Sequence, residues 1–175
     1  MIPPAPPSLP ATYDLGPLPV GRRMRVVDEG DVAAPVRRIF TLARDVERWP
    51  SLLPHYRYVR FRERTSDGGG VVEMSANRPF GPVNWPTWWL SRMTVVDGTV
   101  RFRHIGGITK GMDVLWQFEP DPVGQSTHVR IIHVWDGPHW PVIGPMAATT
   151  VIGPVFVHGI ASRTLAGLAA VAEHT

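Results

Sequence analysis

Apolar and polar positions alternate with period two along seven stretches of the chain, and with period 3.6 along two others. The strand-like runs are Val26 to Val32, Tyr56 to Arg64, Val71 to Arg78, Trp85 to Val96, Thr99 to Ile105, Gly111 to Glu119 and Thr127 to Trp135. Turn chemistry separates most of them: Ser66-Asp67-Gly68-Gly69-Gly70, Asp97-Gly98, Gly106-Gly107 and Pro120-Asp121-Pro122-Val123-Gly124. Asp-Gly between two alternating runs is a strong short-range hairpin signal. Strands joined mostly by hairpins argue for an antiparallel sheet. Between the first two runs, Val36, Ile39, Phe40 and Ala43 fall on one side of a short helix. Trp49-Pro50 is expected to end one helical piece and Pro54 the next, because proline disfavours the α region for its predecessor. After Pro141 the pattern turns helical: a broken piece, then one helix from about Pro154 to Glu173 with proline at its first position. Phe156, Ile160, Thr164, Gly167, Leu168 and Val171 share one face of it, with Arg163 at the edge. The small Thr164 and Gly167 in mid-face leave two readings open, room for a ligand or close packing against a larger neighbour.

Strand parity sorts side chains onto an inner and an outer face. Met112, Val114, Trp116 and Phe118 share a face, as do Val100, Phe102 and His104. Val129, Ile131, His133 and Trp135 form a third set, and Val72, Met74, Ala76 and Arg78 a fourth. His104, His133 and Arg78 are therefore polar residues on otherwise apolar faces. Each histidine alone reads as a hydrogen-bonded core residue, and Arg78 as a side chain reaching to solvent. Several converging on one cavity read instead as a site, because unpaired polar groups are costly to bury. The Trp85–Val96 run stays ambiguous by parity: either Trp85, Trp89, Ser91 and Met93 face in, or Trp88, Leu90, Arg92, Thr94 and Val96 do.

Composition narrows the chemistry. A chain of 175 residues makes one domain, here 22–175, large enough to need no staple. Residues 1–21 hold seven prolines and read as a flexible leader. With no cysteine, thiol catalysis, disulfides and cysteine-bound metals are excluded, and no cofactor or metal is expected. The net charge of +3 suits an acidic partner, yet the basic residues are scattered; the densest group, Arg57, Arg60, Arg62 and Arg64, lacks interleaved aromatics and is no nucleic-acid footprint. No apolar stretch is long enough to span a membrane and no signal-peptide pattern opens the chain, so a soluble cytoplasmic protein is expected.

A strand, two short helices and the elbow Glu47-Arg48-Trp49-Pro50-Ser51-Leu52-Leu53-Pro54-His55-Tyr56 resemble the opening of the SRPBCC (START-like, helix-grip) superfamily. The resemblance implies an α+β fold, a seven-stranded curved antiparallel sheet wrapped around a long C-terminal helix, with two short helices between strands 1 and 2 and an apolar cavity inside. Within it, Trp88-Trp89-Leu90-Ser91-Arg92, Gly111-Met112-Asp113-Val114-Leu115-Trp116 and the closing run Phe156 to Leu165 are similar to segments of the bacterial aromatic polyketide aromatase/cyclases. That likeness implies a pocket role for Tyr56 and Trp116. It also implies a catalytic arginine at Arg92, which selects the register with Trp88 and Arg92 inward. His104 stands where some members carry a second pocket arginine.

The expected function is aldol cyclisation and dehydration of a poly-β-ketone tethered to an acyl carrier protein. Arg92 would hold the enolate oxygen, and Tyr56 with His104 or His133 would transfer protons. Trp49, Met74, Arg78, Trp88, Phe102, Met112, Trp116, Phe156, Ile160 and Arg163 would bind the substrate. The alternative is a non-catalytic binding protein for a quinone, lipid or other apolar aromatic small molecule, which needs the same cavity without the polar cluster.

Overall fold

A computed structural model describes residues 9–80, 83–137 and 157–174, with the side chains of 78–80 and 83–85 left aside. Seven strands form one antiparallel sheet: β1 (Met24–Val32), β2 (Tyr56–Arg64), β3 (Gly70–Phe80), β4 (Val83–Val96), β5 (Thr99–Gly107), β6 (Asp113–Pro120) and β7 (Thr127–Trp135). Their order is β1-β7-β6-β5-β4-β3-β2, so every neighbouring pair but β1–β7 is a consecutive hairpin. At the β4–β5 turn Asp97 and Gly98 have φ of 50° and 70°. Both central residues then take the left-handed conformation a two-residue hairpin needs.

Helix α1 (Val36–Arg44) follows β1, and α2 (Trp49–Leu52) follows a single 3-10 turn, Val46–Arg48. Ile39 and Ala43 are the buried side of α1, and Phe40 meets Phe118 edge-on at 5.4 Å. The elbow differs in detail from its sequence reading. Trp49 is helical (φ −54°, ψ −42°) although Pro50 follows it, so Trp49-Pro50 starts α2 instead of ending the piece before. Proline is tolerated there because the first turn of a helix has no intrahelical use for its N–H. The Trp49 indole, which donates to the Leu42 carbonyl at 3.0 Å, holds the elbow closed.

Helix α3 (His158–His174) lies in the grip of the sheet, against β1, β3, α1 and α2. The segment from Pro141 through Phe156, including the expected broken helical piece, lies outside the described residues. The buried side of α3 runs through Ala161, Thr164, Leu165, Leu168 and Ala172. That stripe is turned slightly from the one read in sequence, towards Leu165 and away from Val171. Gly167 is small for packing: a Cβ there would stand 2.3 Å from Leu53 Cδ2, so α2 and α3 approach as closely as they do because no side chain intervenes. At its C-terminal end α3 is tied to the β1–α1 connection, where Ala33 N donates to Glu173 Oε1 (2.9 Å) and Arg38 to the Ala172 carbonyl (3.0 Å).

Residues 9–21 form neither helix nor strand, yet they are not a free leader. They run across the outer face of the sheet, with Leu15 buried. Thr12 donates to Asp67 (2.7 Å), the Tyr13 hydroxyl to Glu63 (2.6 Å) and Ser66 N to the Pro10 carbonyl (3.1 Å). Arg103 reaches the Leu15 carbonyl at 3.1 Å, and Arg101 the Gly16 carbonyl. Proline removes donors from this strap, but its carbonyls remain free to accept. Among the described residues no helix is long and apolar enough to cross a membrane.

Candidate functional site

The inner faces of β3–β7, the elbow and α3 form one apolar cavity, in which the centre of a water molecule can range over about 80 Å³. Trp49, Tyr56, Met74, Phe102, Met112, Trp116, His104, His133 and Ile160 line it, joined by Trp89, Thr109, Val114, Ile131, Val157, Ala161 and Thr164. The aromatic walls are continuous. Trp49 sits 5.2 Å from Tyr56 and 5.8 Å from Trp116, Tyr56 lies 6.3 Å from Trp89, and Trp89 stacks on His104 at 6.0 Å and 18°. Concave, aromatic-lined space with a few polar groups is the usual setting for small-molecule binding.

Three expected site residues lie elsewhere. On β4, Trp89, Ser91 and Met93 are buried while Trp88 is 52% exposed and Arg92 is on the surface. The register with Trp88 and Arg92 inward is therefore wrong, and the other parity holds. Arg92 points to the outer face, its guanidinium 5.0 Å from the Tyr13 ring of the strap. Trp88 packs over Gly106 on that same side. Arg163 is exposed on α3 and absent from the lining. The side chain of Arg78 and all of Phe156 lie outside what is described.

Two polar groupings face the cavity. On the α3 side, Thr164 is buried, donates to the Ile160 carbonyl (2.8 Å) and shares its hydroxyl with Tyr56 Oη (3.3 Å) and His55 Nε2 (3.1 Å). The single Thr164 proton is within reach of both the Ile160 carbonyl and Tyr56 Oη, and the Thr164 oxygen links half-buried His55 to the cavity wall. Burial raises the Tyr56 phenol above its ordinary range, Thr164 opposing this only in part, so Tyr56 remains a hydrogen-bond donor. On the sheet side, His104 Nδ1 pairs with Thr109 Oγ1 at 2.7 Å, which anchors the β5–β6 loop over the cavity. His133 lies on β7 between Val26 of β1 and Val114 of β6. Burial pushes both imidazoles down to about 3, with His133 adding to the effect on His104. Both are neutral at physiological pH.

The described lining contains no Arg, Lys, Asp or Glu. Among the described residues there is also no cluster of three or more metal-ligating side chains. Sequence parity brought His104, His133, Met112 and Trp116 to the cavity face. Thr109 and His55 escaped it because both sit in loops, and Trp89 because the opposite β4 register was preferred.

A curved antiparallel sheet closed on a C-terminal helix, with two small helices after the first strand and a cavity between the layers, defines a helix-grip, START-like protein. A family model described as polyketide cyclase / dehydrase and lipid transport matches residues 32–150, and the chain belongs to that family. Similar solved structures share the fold at low identity. The Zhui aromatase/cyclase from Streptomyces sp. R1128 is 16% identical with a TM-score of 0.71, over 86% of this chain and 93% of that one. TTHA0849 from Thermus thermophilus is 20% identical at a TM-score of 0.69, covering 84% and 95%. A START superfamily protein from Mycobacterium smegmatis is 16% identical at 0.67, covering 85% and 97%. No curated protein sequence matches.

Proposed function

We propose that the protein binds a neutral, ring-bearing small molecule of the polyketide or quinone kind inside the helix-grip cavity. The observation that carries this reading is the lining itself: aromatic walls, no described charged side chain, and a few neutral hydrogen-bonding groups. An anion would enter such a site without a counter-charge, at a cost of several kcal/mol. A flat neutral molecule would stack against Trp49, Trp89 and Trp116 and lose little. Saturable, one-to-one quenching of tryptophan fluorescence is expected with hydroxylated naphthoquinones or polycyclic phenols. No saturable change across such a panel would rule the reading out.

A second reading, cyclisation and dehydration of a carrier-bound poly-β-ketone, is favoured by the His55–Thr164–Tyr56 hydrogen bonds reaching the cavity wall. In it Tyr56 would donate to the carbonyl oxygen being enolised, and neutral His104 or His133 would accept the α-proton. The pKa values oppose efficient turnover, since catalytic acids and bases work best near the operating pH and these lie far from it. Product analysis with a reconstituted ketosynthase and carrier protein separates the two: a binding protein returns the same spontaneous products with or without it. Arg92→Ala is expected to change ligand affinity or product profile less than twofold, because Arg92 stacks on Tyr13 outside the cavity. A loss of tenfold or more would mean that Arg92 reaches the ligand.

A further inference from the structure

His133 is 9% exposed, lines the cavity, and its Nδ1 has no hydrogen-bond partner. The other hydroxyl and imidazole groups of the described lining are engaged. Tyr56 and Thr164 bond to each other, and His104 bonds to Thr109. Buried nitrogens are paired in most folded proteins, so an imidazole left over at a cavity wall marks where a partner is missing. We propose that His133 is the specificity-determining residue of the cavity: its imidazole reads a neutral oxygen, a phenolic or enolic hydroxyl or a ring carbonyl, on the bound molecule. A neutral imidazole nitrogen can accept from a hydroxyl in one tautomer or donate to a carbonyl in the other, so both oxygen types suit it.

A carboxylate does not suit it. Nothing in the described lining carries a permanent positive charge, and charging His133 would itself bury an unpaired cation among Val26, Val114 and the aromatic walls. The ligand class narrows from "apolar aromatic" to a flat ring system with one uncharged oxygen directed at β7. This inference rests on the proposed binding function but can fail without it.

The test compares naphthalene, 2-naphthol and 2-naphthoate in fluorescence titrations of the full chain. The expected order is 2-naphthol about tenfold tighter than naphthalene, from one hydrogen bond to a buried nitrogen otherwise left unpaired, with 2-naphthoate weakest. In His133→Phe the advantage of 2-naphthol should fall below twofold while naphthalene still binds. Equal binding of naphthalene and 2-naphthol to the wild type, a preference kept in His133→Phe, or tightest binding of 2-naphthoate would each overturn the assignment and leave the cavity reading standing. Failure of all three probes would overturn both. Should the substitution disturb folding, the ring ¹⁵N resonances of His133 in the wild type provide an independent readout. A ring-nitrogen signal of His133 should shift with saturating 2-naphthol and hold its position with naphthalene; unmoved signals with 2-naphthol bound would overturn the assignment too.

Discussion

Replacing Asp113 with alanine should destabilise the protein by about 3 kcal/mol, the lower end of what breaking a buried ion pair costs. Its carboxylate is 2% exposed and lies 2.8 Å from Arg103 and 3.8 Å from Arg101. Arg101 is 14% exposed, and its Nε and one terminal nitrogen have no hydrogen-bond acceptor, so Asp113 is what offsets its burial. Desolvation already lowers the pKa of Arg101, with Asp113 opposing that shift. The lower end applies because Arg103, at 35% exposed, can recover water. The same two arginines hold the strap through the Leu15 and Gly16 carbonyls, so the variant should also expose residues 9–21 to protease. Urea midpoints at unchanged m-value measure the loss. A cost under about 1 kcal/mol would show that the arginines are solvated without Asp113.

Acidification should weaken the fold well before its carboxylates titrate. The unfolded chain takes up protons on histidine below about pH 6.5. Native His104 and His133 resist until about 3, and burial, with Arg163 nearby, lowers His55 as well. Their folded pKa values are depressed, so the unfolded state binds more protons over this window and stability falls as pH drops from about 6.5. The slope approaches about 1.4 kcal/mol per pH unit for each such histidine. His128 acts in the opposite sense: Asp31 raises its pKa, so its contribution is present at low pH and fades as pH rises through the folded value. Asp28 likewise has a pKa raised by burial, which softens the decline at the most acidic end. Unfolding midpoints at pH 7 and 5 should therefore differ clearly in the wild type and less in His104→Phe. Equal midpoints at both pH values would mean that the imidazoles are hydrated.

Most of the fold could be read from the sequence because each hairpin carries its own turn chemistry and its own parity. β2 and β7 have the ends that pattern predicted, Tyr56–Arg64 and Thr127–Trp135. The register of β4 could not be read that way, for a physical reason. Both parities of β4 carry tryptophan, Trp89 on the buried side and Trp88, 52% exposed, on the other. An arginine borrowed by likeness then decided between them wrongly. The strap was hidden for a related reason: proline-rich sequence announces the absence of helix and strand, but not whether a surface stands ready to accept its carbonyls. The cavity histidines emerged from parity, whereas Thr109 and the His55–Thr164 contact depend on loop and helix placement that no periodicity encodes.

Among the described residues the outer strand β2 has a strand partner on one side alone, which leaves that edge of the sheet open. An open edge is a template on which a second chain can add, and proteins escape that fate by distorting or charging it. β2 does both. Its pairing with β3 slips twice, between Tyr56 and Tyr58 and between Phe61 and Glu63, and Arg57, Arg60, Arg62 and Arg64 stand exposed along it. The arginine row, which carries no nucleic-acid footprint in the sequence, thus stands where it opposes edge-to-edge joining of two copies of the chain. A sheet lined with tryptophan gains in that way a guard against aggregation that its interior cannot provide.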